Sequence, residues 1–192
     1  MSQIASLPSG DDRLQLEGAI TAGNWGTETE SVAAFDAAVE ATGRFIVYRE
    51  VKGSYQWLRP NQEMKTPRID RILFPTKQLA DEGWNLGPVA VECKRSGAKT
   101  GPPIAQLLDY SHAVWEINHT WVMPQWYLLW PISTVKSTLE SMFSQQRLGG
   151  IYLDHRGRLV LHSRSVLAKF DGSNSPDLRL HNTVAGRKTG SR

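Results

Sequence analysis

The apolar positions change period along the chain, and each change marks an element. Val32, Phe35 and Val39 recur at helical spacing behind Thr27 and Thr29, either of which can cap a helix start. The pattern predicts a helix over about 28–42, stopped by Gly43. Glu28 lies one turn before Val32, on the same face. The β-branched and aromatic run Phe45 to Val51 reads as a strand. Gly53, Pro60 and Asn61 belong to a looser connection, with Tyr55 and Trp57 as a short strand inside it. Ile69 to Phe74 is the next strand, closed by Pro75, and residues 76–88 form a polar connection. Val89 to Lys94 reads as a short central strand.

Beyond it, Gly97 to Pro103 forms a turn that places Pro103 in the first turn of a second helix. Ile104, Leu107, Leu108, Ser111 and then Val114 or Trp115 carry that helix forward. Tyr127 to Trp130 reads as a buried strand and Val135 to Phe143 as an outer helix. Ile151 to Leu153 and Leu159 to Leu161 form a hairpin turning at Gly157. The organisation expected is an N-terminal arm over 1–26, one domain over 27–170 that includes the hairpin, and a flexible tail over 171–192.

The length of 192 residues suffices for a core without metal or disulfide staples. Lys and Arg total 22 against 19 Asp and Glu, a mild basic excess that permits a nucleic-acid partner without demanding one. Cys93 is the only cysteine, which excludes an intrachain disulfide and a cysteine-rich zinc site. The chain shows no signal-peptide pattern and no apolar run long enough for a membrane span, so an intracellular, cytoplasmic protein is the simplest expectation. Its size and composition also suit a phage or mobile-element protein acting inside a host cell.

The chemistry concentrates in two strands. Asp70 lies on one, and Glu92-x-Lys94 on the other puts a carboxylate and an ammonium on one face with Ala90. Carboxylates are hard ligands for Mg²⁺ or Mn²⁺, and such an ion promotes attack of water on phosphate. Lys94 could orient or deprotonate that water, or stabilise the transition state. The Cys93 carbonyl, between the two side chains, is a further ligand candidate. The competing reading is an exposed ion pair on an edge strand, but the apolar Val89-Ala90-Val91 lead-in favours a strand covered on both faces.

This arrangement resembles the PD-(D/E)xK nuclease superfamily over about residues 27–132. The resemblance implies an α/β restriction-endonuclease-like core, with a central mixed β-sheet flanked by helices. It implies an acidic residue at the end of the second strand and Glu-x-Lys on the third. Asp70 and Glu92 are then metal ligands and Lys94 the lysine of the motif. Glu28 is the added glutamate from the first helix and a further metal ligand, with Glu30 as a less well-phased substitute. Gln106-x-x-x-Tyr110 resembles the Gln/Tyr motif of exonuclease and resolvase-like branches. Ile69 stands where the family name implies proline. The implied activity is metal-dependent hydrolysis of DNA. Exonuclease and endonuclease action, RNA as substrate, a noncatalytic DNA-binding role and homo-oligomerisation all stay open.

Around this set, Gln106 could hold water or a phosphate oxygen, and Tyr110 could bond phosphate or Lys94. Arg68, on the face of Asp70 if the strand is regular, is the better phosphate contact than Arg71. Arg95 and Lys99 sit in a loop that could approach a DNA backbone. Glu50 reads as an ion-pair partner of Arg68 or Arg71, or as a second-site ligand. Trp115, Trp121, Trp126 and Trp130 read as packing residues. Trp25, Trp57 and Trp84 lie in less regular stretches, where one could stack on an unpaired base.

Overall fold

The computed structural model describes residues 24–55, 66–99, 101–132, 147–163, 166–172 and 174–180. It contains helices α1 (Glu28–Thr42), α2 (Lys77–Asp81) and α3 (Gly101–Tyr110). Its strands are β1 (Phe45–Tyr55), β2 (Arg68–Pro75), β3 (Val89–Cys93), β4 (Ala113–Ile117), β5 (Thr120–Val122), β6 (Trp126–Trp130), β7 (Leu148–Leu153), β8 (Leu159–Ser163), β9 (Val166–Phe170) and β10 (Asp177–Leu180). The sheet order is β10-β9-β8-β7-β6-β3-β2-β1-β4-β5. β3, β6 and β7 run parallel at its centre, and the other neighbours are antiparallel, so the fold is mixed α/β with helices against a central sheet.

Alternation along the central strands feeds two cores. Val89, Val91 and Cys93 of β3 join Phe35 and Val39 of α1, Leu128 and Trp130 on one face. Ala90 joins Leu107 and Tyr110 of α3, Tyr127 and Leu129 on the other. Every residue of β3 is buried, as befits a strand covered on both faces. The α1 start is fixed by a capping box, in which Thr27 Oγ1 accepts the Glu30 N–H and Glu30 accepts the Thr27 N–H. Gly43 closes the helix at φ 60°.

Several expectations are corrected. The second helix stops at Tyr110 instead of running on to Trp115. Ser111 and His112 close it by bonding back to Leu107, Leu108 and Asp109, and Ala113–Ile117 pairs instead with Gly53–Tyr55 and β5. Val114 and Trp115 fell in helical phase, but their β-forming side chains gain more from that pairing. Tyr55 ends β1 and is no separate strand; Trp57 lies outside the described residues. The connection at 76–88 holds α2, capped by Thr76. Within the stretch read as tail, Asp177–Leu180 forms β10, whose Leu178 packs at the edge of the Phe170 core. The helix expected at 135–143 lies outside the described residues. Among the described residues no helix is long and apolar enough to cross a membrane.

An ionic cluster ties α1 to β1 and β2. Arg71, only 5% exposed, meets both Asp36 oxygens at 2.7 and 2.9 Å, and Arg49 bonds Asp36 and Glu40 at 3.0 Å each. Burial works to raise the Asp36 carboxyl, but Arg71 and then Arg49 outweigh it and hold it below its ordinary value. Asp36→Ala leaves Arg71 buried without its partner and is expected to cost about 3 kcal/mol in urea unfolding at neutral pH. The difference should shrink as pH falls through the Asp36 titration, below its ordinary value of 3.8. A loss of under about 0.5 kcal/mol contradicts this.

Candidate functional site

The site forms where the β2–β3 ladder stops. Its last pair is Arg71 with Val91. One residue past the end of β3, the Lys94 N–H turns to the Trp130 carbonyl of β6 at 2.7 Å. Strand alternation therefore points the Cys93 N–H and C=O toward β2. There the Asp70 side chain accepts the Cys93 N–H at 2.7 Å, standing in for a missing rung. Asp70 sits near the start of β2 and not at its end as expected; antiparallel pairing brings that start beside the end of β3.

Glu92 is 3% exposed. One carboxylate oxygen, Oε1, accepts Lys94 Nζ at 2.6 Å, and the other, Oε2, is buried without a hydrogen-bond partner. Lys94 Nζ also lies 3.6 Å from Glu28 in the first turn of α1. Two bonds hold that turn in place: Ser31 Oγ donates to the Lys94 carbonyl at 2.7 Å, and Trp130 Nε1 donates to the Ser31 carbonyl at 3.0 Å. Glu28, Asp70, Glu92 and Lys94 are thus brought together from three elements.

Charge and burial set their proton affinities. Burial, then the Asp70 charge, pushes Glu92 up to about 7 against the pull of Lys94. Burial raises Asp70 too, although the Cys93 N–H and Lys94 oppose it. For Lys94 burial works downward, but Glu92, Glu28 and Asp70 win and raise it, so the ammonium keeps its proton. The Cys93 thiol is buried against α1 and pushed well up by that burial; its backbone, not its sulfur, serves the site.

Among the described residues no three His, Cys, Asp or Glu side chains gather as a metal cluster. The oxygen donors at hand are the Asp70 and Glu92 carboxylates and the Cys93 carbonyl. Hard divalent ions accept such a mixed set and complete it with water. The unpartnered Glu92 Oε2 and the repulsion between the carboxylates are both features that a cation would relieve.

The remaining predicted residues lie around this centre. The Tyr110 hydroxyl donates to the Arg68 carbonyl at 2.8 Å and accepts from Gln106 Nε2 at 2.7 Å. Tyr110 therefore pins α3 to β2 two residues before Asp70 and does not bond Lys94. Arg68 is exposed and pairs with Glu50 at 3.1 Å. Arg95 and Lys99 are exposed on the loop after β3, which Ser96 fastens to Trp25 by two hydrogen bonds.

Sequence reasoning missed how Arg71 serves the site: its Nη1 donates to the Asp70 carbonyl at 2.6 Å. The Asp36/Glu40 spacing along α1 is a local signal for basic partners that sequence reasoning did not use, and only the β1–β2 register shows Arg49 beside Arg71. Glu50, opposite Asp70, adopts φ 50° where the ladder skips a rung. That irregularity sends both Ile69 and Ile72 into the α3-side core, so the regular-strand face expected for Arg68 does not apply. Comparison with family models, curated proteins and solved structures finds no match to this chain.

Because Glu92 binds its proton more tightly in the folded state, stability without metal should fall as pH rises from about 4.5 to about 7. The drop attributable to Glu92 is up to about 3 kcal/mol. Glu92→Gln should flatten that slope in urea unfolding with EDTA present; an unchanged slope contradicts the assignment.

Proposed function

We propose that this protein is a divalent-metal-dependent deoxyribonuclease on a restriction-endonuclease-like core. The observation that carries the reading is the meeting of Asp70, Glu92 and protonated Lys94 at the ends of β2 and β3, with Glu92 Oε2 buried and unpaired. The chain order supports it: helix α1, β1, β2 with Asp70, β3 with Glu92-x-Lys94, then α3 with Gln106 and Tyr110.

Asp70, Glu92 and the Cys93 carbonyl would hold Mg²⁺ or Mn²⁺. When bound, the ion supplies Lewis acidity toward water and phosphate oxygen. The protein's own groups divide the rest. Lys94, holding its proton, acts as an electrostatic donor to charge developing on the phosphate and not as the base. Glu28, exposed and 3.6 Å from Lys94, helps hold the ammonium charged. Tyr110 and Gln106 position the Asp70 end of β2 through the Arg68 carbonyl. Arg68, Arg95 and Lys99 are the cations available to phosphates outside the cleft.

The test is a cleavage panel of single-stranded, duplex and branched DNA and matched RNA, each end-labelled, with Mg²⁺ and with Mn²⁺. Wild type should cut DNA. Asp70→Asn, Glu92→Gln and Lys94→Met should each lose at least about 100-fold while their circular dichroism stays native. A folded, metal-loaded wild type that cuts nothing, or a Glu92→Gln variant that cuts normally, overturns the reading. Cleavage of RNA alone replaces the substrate.

A further inference from the structure

Of the four tryptophans that the sequence assigns to packing, Trp121 is exposed to water. Trp25 stacks on Trp130 at a centroid distance of 5.0 Å and Trp84 is buried, whereas Trp121 on β5 is 58% exposed. Its position is set by a tight hairpin. Ile117 pairs with Thr120, and the two turn residues between them, Asn118 and His119, have φ 50° and 61°, the left-handed pair that two-residue hairpins require.

The register places Trp121 on a rung that runs back to the site. Trp121 faces Glu116 across β4–β5, and Lys52 faces Arg68 across β1–β2. Gly53 pairs with Trp115, so one step on brings Glu116 level with Lys52. Directly opposed residues share a face. Here that face carries exposed Arg68, Lys52, Glu116 and Trp121, while Gly53 and Trp115 turn inward. A Cβ at Gly53 would lie 2.7 Å from the Val114 carbonyl oxygen, so glycine permits this close join of β1 and β4. Among the described residues Lys52 has no ion-pair partner, and Glu116 lies 3.6 Å from His119 at the hairpin tip. Three strand spacings separate Arg68 from Trp121, about 14 Å. Arg68 is two residues from Asp70.

We propose that the rung Arg68–Lys52–Glu116–Trp121 is a binding track for single-stranded DNA, with Trp121 stacking on an unpaired base and Lys52 and Arg68 holding phosphates on the way to Asp70. This rests on the nuclease reading for its direction toward the site. The order of groups fits the occupant: Arg68, paired with Glu50, and Lys52 lie nearest the site, Glu116 stands between, and a flat apolar ring stands at the far end. Paired bases in a duplex offer no free face to the indole; an unpaired base does. The track thus assigns a substrate with an unpaired strand beside the cut.

The test uses the full chain in EDTA, so that nothing is cut, and fluorescence anisotropy with labelled oligothymidylate and with its duplex on oligodeoxyadenylate. Trp121→Ala should weaken oligothymidylate binding about ten-fold or more. It should change duplex binding less than about two-fold, because stacking requires an unpaired base. Trp121→Phe should retain most of the affinity. Lys52→Ala should lower the salt slope for the single strand by about 0.7. Unchanged oligothymidylate affinity in Trp121→Ala overturns the track, as does equal loss for both forms or a wild type that does not bind oligothymidylate. If the only effect of Trp121→Ala is to turn a dimer into a monomer in sedimentation velocity, β5 is a self-association edge and the track is likewise overturned. Trp121-dependent binding by a wild type that never cuts leaves the track standing and removes the hydrolytic reading; cutting with Trp121-independent binding does the reverse.

Discussion

The hydrogen bond from the Cys93 N–H to the Asp70 carboxylate decides the shape of this molecule's chemical centre. A backbone rung at that level would have closed the sheet and left β2 and β3 an ordinary pair. With a side chain in place of the rung, a carboxylate sits within the line of the sheet, one residue from the buried Glu92. Repulsion between the two carboxylates then follows, and Lys94 offsets it at only one Glu92 oxygen. What remains is a buried carboxylate oxygen without a partner beside the half-buried Asp70, which is costly unless a proton or a cation completes it.

Surrounding elements are arranged to keep that centre in place. Ser31 and Trp130 fasten the start of α1 over the end of β3, and Tyr110 fastens α3 to the start of β2. Arg71 reaches from the Asp36 pair to the Asp70 carbonyl and so joins the ionic cluster to the site. These contacts act on backbone positions. Several residues that look like chemical groups in the sequence, Tyr110 above all, therefore hold the frame.

Much of this is legible in the amino-acid sequence. Thr27, Gly43 and the Phe35/Val39 rhythm define α1 almost to the residue, because capping and periodicity are local. That Glu92 and Lys94 share a face was also visible, since alternation along a short apolar strand is local too. What escaped was set by partners distant in sequence. Val114 and Trp115 fit a helix until β1 offers them a strand partner, and Leu178 reads as tail until Phe170 lies beside it. Trp121 looked like a core residue because Trp115, Trp126 and Trp130 cluster around it in the sequence, but β5 sits at the sheet edge. Glu50 carries no local mark of its left-handed backbone, which arises only where it opposes Asp70.

The central claim is that Asp70 and Glu92 jointly hold one hard cation, and it is tested most directly by metal binding without catalysis. Electron paramagnetic resonance of Mn²⁺ titrated into the full chain at pH 7.5 should show one bound ion per chain. That ion should be lost in both Asp70→Asn and Glu92→Gln at unchanged fold. Equal Mn²⁺ binding by wild type and both variants, or none by wild type, contradicts the claim.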